Sequence, residues 1–236
     1  MAPVLLQTTR AIALRTFKHG DRSVVLKAYT EAFGLRSYMA RTGKQGSVQP
    51  MHLQPLARLE LVVTENRERE LHAVREARLL KPYTGIPADP RRGMVLLFTQ
   101  EVLYRTLRES APDPALFAFA MELLEAIDTG GSLGRLPLDL MAGLARHLGF
   151  LPEPPRPGQD RFDLRDGCFF HGPSPHAFCL GPEASSAFAQ LLAPGPHRFT
   201  PAERKALLET LLAYFRFHVE GFGELRSPEI LHELLL

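Results

Sequence analysis

Two sets of residues in this sequence have types and spacings that can do chemistry. The first is Cys168-x2-His171-x4-His176-x2-Cys179. Thiolate and imidazole hold Zn²⁺ tetrahedrally, and pairs separated by two residues suit a knuckle. Pro173 and Pro175 can shape the turn between the pairs. Against this, the four-residue gap is short, and the neighbouring phenylalanines suit a strand that buries its cysteines. A metal-free hairpin is therefore the favoured reading. Cys168, His171, His176 and Cys179 are the candidate zinc ligands of the other one.

The second set is cationic. Lys18, Arg22, Lys27, Arg36, Arg41 and Lys44 fall on or beside three short apolar segments, interleaved with Tyr29, Phe33 and Tyr38. Cations that follow a phosphate backbone, next to rings on which bases stack, are what single-stranded nucleic acid requires. Residues 1–82 carry fourteen Lys and Arg against seven Asp and Glu, a balance of +7. The chain as a whole is only +2, so the remainder is −5. This asymmetry points to a polyanionic partner for the first module. The plainer alternative is a set of charges that solvate outer strand faces. Tyr29 and Phe33 fit core packing better than stacking.

Other chemistries lack their residues. There is no glycine-rich phosphate loop followed by Lys and Ser/Thr, no Gly-x-Ser-x-Gly elbow, and no carboxylate pair in an apolar setting. His19, His52, His72, His147, His197, His218 and His232 are isolated. No set of residues fills the roles of a catalytic site, so no enzyme is expected. A hydrolase with an open zinc position at the Cys/His cluster is the one enzymatic reading left.

The elements that must position these residues follow from pattern. Thr9–Lys18 alternates as a half-buried strand, with Ala11, Ala13 and Arg15 on one face. Ser23–Thr30 and Leu35–Ala40 form a hairpin around Gly34, which can take a positive φ. Gln45–Gln54 reads as loop and Leu56–Thr64 as a fourth strand. Glu65–Arg69 is a polar tip. Glu70–Leu80 is a fifth strand whose pattern also suits a helix. Five short strands without helical crossovers predict a small antiparallel barrel. After the linker-like Pro82–Pro90, helices are predicted over Arg91–Ser110, Asp113–Ile127 and Pro137–Leu148. Pro152–Pro182 is irregular, with a short hairpin at Arg161–Phe170. Further helices follow at Glu183–Leu192 and from a Thr200/Glu203 capping box to Val219. The tail from Ser227 opens as a capped turn. No apolar run approaches the ~20 residues of a membrane span. With two cysteines and no secretory start, a cytoplasmic protein is expected.

In order and spacing these segments resemble the RecO family, bacterial recombination mediators of the RecF pathway. The likeness rests on Asp21–Gly34 ending in Tyr29-Thr30-Glu31-Ala32-Phe33-Gly34, on Arg41-Thr42-Gly43-Lys44, and on Leu53-Gln54-Pro55. It returns at Tyr214–Phe222 with Leu225-Arg226-Ser227. The resemblance implies an α+β, multi-domain chain. Residues 1–82 would be an OB-fold barrel, residues 83–151 and 183–236 an α-helical bundle, and residues 152–182 an inserted, irregular, zinc-finger-like hairpin. Typical members carry two Cys-x2-Cys pairs there. Here Pro155-Arg156-Pro157-Gly158 replaces the first pair, so a four-cysteine site is excluded by count and zinc is not a certain cofactor. The resemblance further implies binding of single- and double-stranded DNA and annealing of complementary strands. It implies work with RecR to load RecA onto DNA coated by the single-strand-binding protein. The DNA contacts would be Lys18, Arg22, Lys27, Arg36, Tyr38, Arg41 and Lys44. The competing function is a protein–protein adaptor whose barrel binds a partner chain, with DNA incidental.

Overall fold

The computed structural model describes residues 5–43, 46–65, 70–107, 111–195, 197–228 and 231. They form two compact units, residues 1–129 and 130–236. By compactness the first two helices belong with the barrel, whereas the sequence groups them with the later helices.

In the first unit, β1 (Leu5–Lys18), β2 (Ser23–Thr30), β3 (Gly34–Arg41), β4 (Arg58–Glu65) and β5 (Leu71–Leu79) close a barrel in the order β1-β2-β3-β5-β4. β3 and β5 pair in parallel and the other pairs are antiparallel. This is the five-stranded Greek-key arrangement of an OB-fold. The fifth segment is a strand because closure needs it to bridge β4 and β3; only a paired edge satisfies its backbone there. Gly34 takes φ +69° at the β2–β3 turn, where Thr30 Oγ1 donates to its carbonyl at 2.8 Å. The stretch read as loop before β4 holds a 3-10 turn at Pro50–Leu53.

β1 is longer than its alternation suggests because it serves two partners. Leu5–Ile12 pairs with β4, and Ala11–Lys18 pairs with β2. Ala11 and Ala13 face the barrel core with Leu26, Ala28, Tyr38, Leu59 and Leu61. The register then shifts between Ala13 and Arg15. Leu14 is the extra residue of this bulge, and it is buried. Its carbonyl accepts from Gln100 Nε2 at 2.6 Å. Beyond the bulge, Arg15 pairs with Lys27 and is exposed, so it leaves the face it shares with Ala13 in a regular alternation.

Two helices complete this unit, α1 (Pro90–Thr106) and α2 (Pro114–Thr129). The apolar faces predicted for both are buried. Asp113 caps α2, accepting the Leu116 N–H at 2.9 Å. A buried charge cluster ties α2 to β4. Arg58, 3% exposed, donates to Glu125 at 2.6 Å, lies 3.9 Å from Asp128, and stacks over Tyr83. Asp128 also accepts from the backbone N–H groups of Thr84, Gly85 and Ile86 at 3.0, 2.8 and 3.0 Å. The linker-like stretch is therefore pinned at its middle. Gly85 is required there, since a Cβ would lie 1.9 Å from the Asp128 carbonyl oxygen.

The second unit holds α3 (Leu136–His147), α4 (Pro182–Leu192) and α5 (Pro201–His218) around a small sheet. That sheet is β6 (Arg161–Asp163), β7 (Cys168–Phe170) and β8 (Cys179–Leu180), in the order β7-β6-β8. Its anchor is the buried Phe162 ring, 4.7 Å from Phe169, 4.8 Å from Phe188 and 5.8 Å from Tyr214. Tyr214 Oη donates to the Phe150 carbonyl at 2.6 Å, and α5 opens with the predicted Thr200/Glu203 capping box.

Burial pushes the Asp128 carboxyl up, but the three N–H donors and Arg58 outweigh it and hold its pKa below the usual value. A depressed carboxyl contributes stability above the ordinary carboxylate range and loses it as pH falls through the folded-state value. Asp128→Ala is expected to cost about 3 kcal/mol at neutral pH, because it strands Arg58 and three N–H groups. Denaturant unfolding at a series of pH values checks this. The gap between variant and parent should narrow as the solution is acidified; a gap that is absent at neutral pH contradicts the cluster.

Candidate nucleic-acid interface

Lys18, Arg22 and Arg41 converge on one end of the barrel. Lys18 ends β1 opposite Val24, and Ser23 pairs with Arg41. The Thr42 N–H closes the gap by donating to the Arg22 carbonyl at 3.0 Å. All three side chains are exposed, and no carboxylate pairs with them among the described residues. Their positions follow from local structure: the β1–β2 turn at Gly20 (φ +79°) and the exit from β3 lie side by side because β2 joins them.

Several other cations of this unit already face carboxylates. Arg10 pairs with Glu31, whose carboxyl it holds below the usual range. Glu125 is held down to about 2 by hydrogen bonds from Lys81 and Arg58. Arg91 is folded back on Asp89. Glu125 and Asp128 lie outside residues 1–82 and offset part of their +7 through Arg58 and Lys81, whereas the Lys18, Arg22 and Arg41 cluster keeps its charge.

The remaining expected contacts lie away from that end of the barrel. Lys27 is half-buried on the outer face of β2, its ammonium 5.8 Å from the Tyr104 ring centre on α1. Arg36 sits in register with the core residue Ala28, towards the hairpin end, and its guanidinium donates to the Leu35 carbonyl. The structure does not bring it to the cluster. Tyr38 is corrected outright as a stacking ring. It is fully buried inside the barrel, opposite Leu26, and its hydroxyl donates to Glu65 at 2.8 Å. Even parity along β3 points inward, so Tyr38 fills the core. Lys44 lies outside the described residues. Tyr29 is buried against Phe117, and Phe33 packs on the barrel core, as their core reading expects.

Two residues that sequence reasoning passed over belong to this face. Across β1, β2 and β3 the outward rows run Arg15–Lys27–Ser37, then Phe17–Val25–Met39, then Ser23–Arg41. Phe17 is 41% exposed. The Arg15 guanidinium lies 5.1 Å from the Phe17 ring centre and 5.0 Å from that of Tyr104. The available signal was the run Arg15-Thr16-Phe17-Lys18, cation and aromatic alternating at a strand end; the unseen bulge hid it.

In the second unit the predicted knuckle is regrouped. Asp163, His176 and Cys179 bring one ligand atom each within 4.8 Å of one another. Asp163 Oδ1 accepts from the Arg165 and Asp166 N–H groups, which leaves Oδ2 facing the other two residues. His176 Nε2 lies 3.1 Å from that oxygen yet out of line for a hydrogen bond, a buried ring nitrogen without a partner. Cys179 Sγ is 3.6 Å from His176 Nδ1. Cys168 and His171 are exposed and outside this trio; His171 faces Asp160 at 3.8 Å. Partial burial and the nearby Asp163 and Asp166 raise the Cys168 thiol pKa, which disfavours the thiolate a metal takes. One thiolate, one imidazole and one carboxylate make a donor set that Zn²⁺ accepts. The reason for the change is register: β6 pairs Asp163 with both Cys168 and Cys179, and this puts the carboxylate between the cysteine strands.

Two family models match the chain. Recombination protein O N terminal covers residues 1–83, and Recombination protein O C terminal covers residues 87–228. Among the curated proteins it is similar to DNA repair protein RecO of Bacteroides fragilis, 30% identical over 240 residues, which spans 98% of this chain and 99% of the relative. It is also similar to the proteins of that name from Porphyromonas gingivalis (29% identical, 98% and 99% covered) and Flavobacterium psychrophilum (25%, 96% and 98%).

Cobalt added to the protein tests the regrouped trio, because a thiolate-bound ion gives a charge-transfer band. Cys179→Ser is expected to remove that band and Cys168→Ser to leave it. The reverse pattern would restore the spacing-based ligand set.

Proposed function

This chain belongs to the RecO family of DNA repair proteins, and we propose that it is a non-enzymatic mediator that binds single- and double-stranded DNA at the cationic end of its barrel. In this reading it anneals complementary strands. With RecR it helps load RecA onto DNA covered by the single-strand-binding protein, in the cytoplasm at the nucleoid. Among the described residues no helix is long and apolar enough to cross a membrane.

The observation that carries this reading is the cluster of Lys18, Arg22 and Arg41, exposed and without carboxylate partners among the described residues. OB-folds engage oligonucleotides with the strand 2–3 face and the loop between strands 1 and 2, which is where this cluster lies. Annealing brings two polyanions together, so neutralising phosphate is the whole chemical task and no bond need be made or broken. The division of labour we propose keeps DNA on residues 1–82 and protein contacts on the helices of 83–151 and 183–236, with 152–182 as an insertion. The acidic tail of the single-strand-binding protein requires cations there. Arg198 and Arg216 are exposed and suit it, whereas Arg204 donates to the Phe199 carbonyl and Lys205 is half-buried.

Replacing Lys18, Arg22 and Arg41 together by Ala tests the assignment. Each phosphate contact contributes about 0.7 to the slope of log affinity against log salt on single strands. The triple variant should therefore flatten that slope by about 2, weaken all sequences alike, and slow annealing. An unchanged slope removes these residues from the site. Annealing that proceeds normally in the variant, with tight partner binding by the protein, would favour the adaptor reading instead.

A further inference from the structure

We propose that Phe17 is a stacking platform for an unpaired base of single-stranded DNA, held in place by Arg15 and Tyr104. This rests on the reading above that the barrel face binds DNA, and it names a subsite within that face.

Phe17 stands in the middle outward row of the β1–β2–β3 face, with half-buried Val25 and Met39 beside it as a floor. Phe17 is 41% exposed although it lies within a strand. One side is occupied: the Arg15 guanidinium sits 5.1 Å from it and 5.0 Å from the ring of Tyr104, so the cation bridges two aromatic rings. Such cation–π contacts fix orientation. Phe17 is thereby held on the surface, with its remaining area open to solvent.

Charge selects the occupant. The rows on either side of Phe17 carry Arg15 and Lys27 on one flank and Arg41 on the other, with Lys18 and Arg22 at the adjoining turn. The acid of that turn is Asp21. A flat apolar ring between rows of cations matches a base whose own phosphates lie to both sides. A paired base is stacked within its duplex and cannot reach the ring, so the subsite serves single strands. Phosphate contacts and base contact are thus separable on this face: the cations act on any nucleic acid, and Phe17 acts only where a base is free. The bulge at Leu14 is what makes the site, because without the register shift Phe17 would point into the barrel.

The test compares the full chain with Phe17→Ala and Phe17→Tyr on three fluorescent probes: an oligothymidylate, an abasic strand of equal length, and a duplex. Stacking on one aromatic ring predicts that Phe17→Ala loses about tenfold in affinity for the oligothymidylate. It should bind the abasic strand and the duplex as the parent does, and Phe17→Tyr should retain parental affinity on all three. Equal loss on all probes overturns the proposal, since Phe17 would then act through the fold. So does a Phe17→Ala variant that binds oligothymidylate normally while the parent shows a steep salt dependence; the DNA-binding reading then stands without this subsite. A parent that binds none of the probes overturns both.

Discussion

Closing five strands into a barrel forces β1 to pair along both edges, and the bulge at Leu14 is where it passes from one partner to the other. Its first half is matched to β4 and its second half to β2. A barrel has no free edge, so a strand that closes it must bend, and an extra residue is the usual means. The bend leaves the Leu14 carbonyl off the ladder, and Gln100 of α1 supplies its donor. The shift of register then decides which side chains meet water. Ala11 and Ala13 remain in the core, while Arg15 and Phe17 emerge on the outer face.

Electrostatics divides the basic residues of this unit into two classes. Arg58 and Lys81 converge on Glu125, Arg58 also faces Asp128, and Arg10 is matched to Glu31. These pairs fasten helix to strand or strand to turn. Of them, only the Arg58 cluster is deeply buried, and it is the one whose disruption should be expensive. The exposed pairs contribute little. The group at the β1–β2 turn and the β3 exit stands apart from them: among the described residues its cations meet no carboxylate. An electropositive end maintained in this way destabilises the barrel slightly through self-repulsion, and a bound polyanion relieves it.

Much of this was legible in the sequence, and the misses share a cause. The Val-, Leu- and Tyr-rich run at 23–30 and the turn at Gly34 gave the hairpin, and apolar periodicity gave the buried faces of α1, α2 and α5. The Thr200/Glu203 cap could be read directly, since a cap is local. Tyr38 was misjudged because parity along β3 fixes its direction only once the register with β2 is known. Arg15 and Phe17 were missed because a bulge leaves no signature in a run of alternating residues. The same holds for the Asp163–His176–Cys179 group: Asp163 joins it through strand pairing, whereas spacing along the chain favoured Cys168 and His171. Local chemistry is visible in a sequence, and proximity created by register is not.

The central claim is that DNA meets this protein at the outward rows of β1, β2 and β3 and at the turn that joins the first two. Amide NMR of the full chain, titrated with a single-stranded oligonucleotide, reads this most directly. The account predicts that the first and largest shifts fall within residues 15–27 and 37–43, with residues 71–79 little changed. Shifts gathered instead around Arg198, Lys205 and Arg216, with residues 15–27 silent, would contradict it.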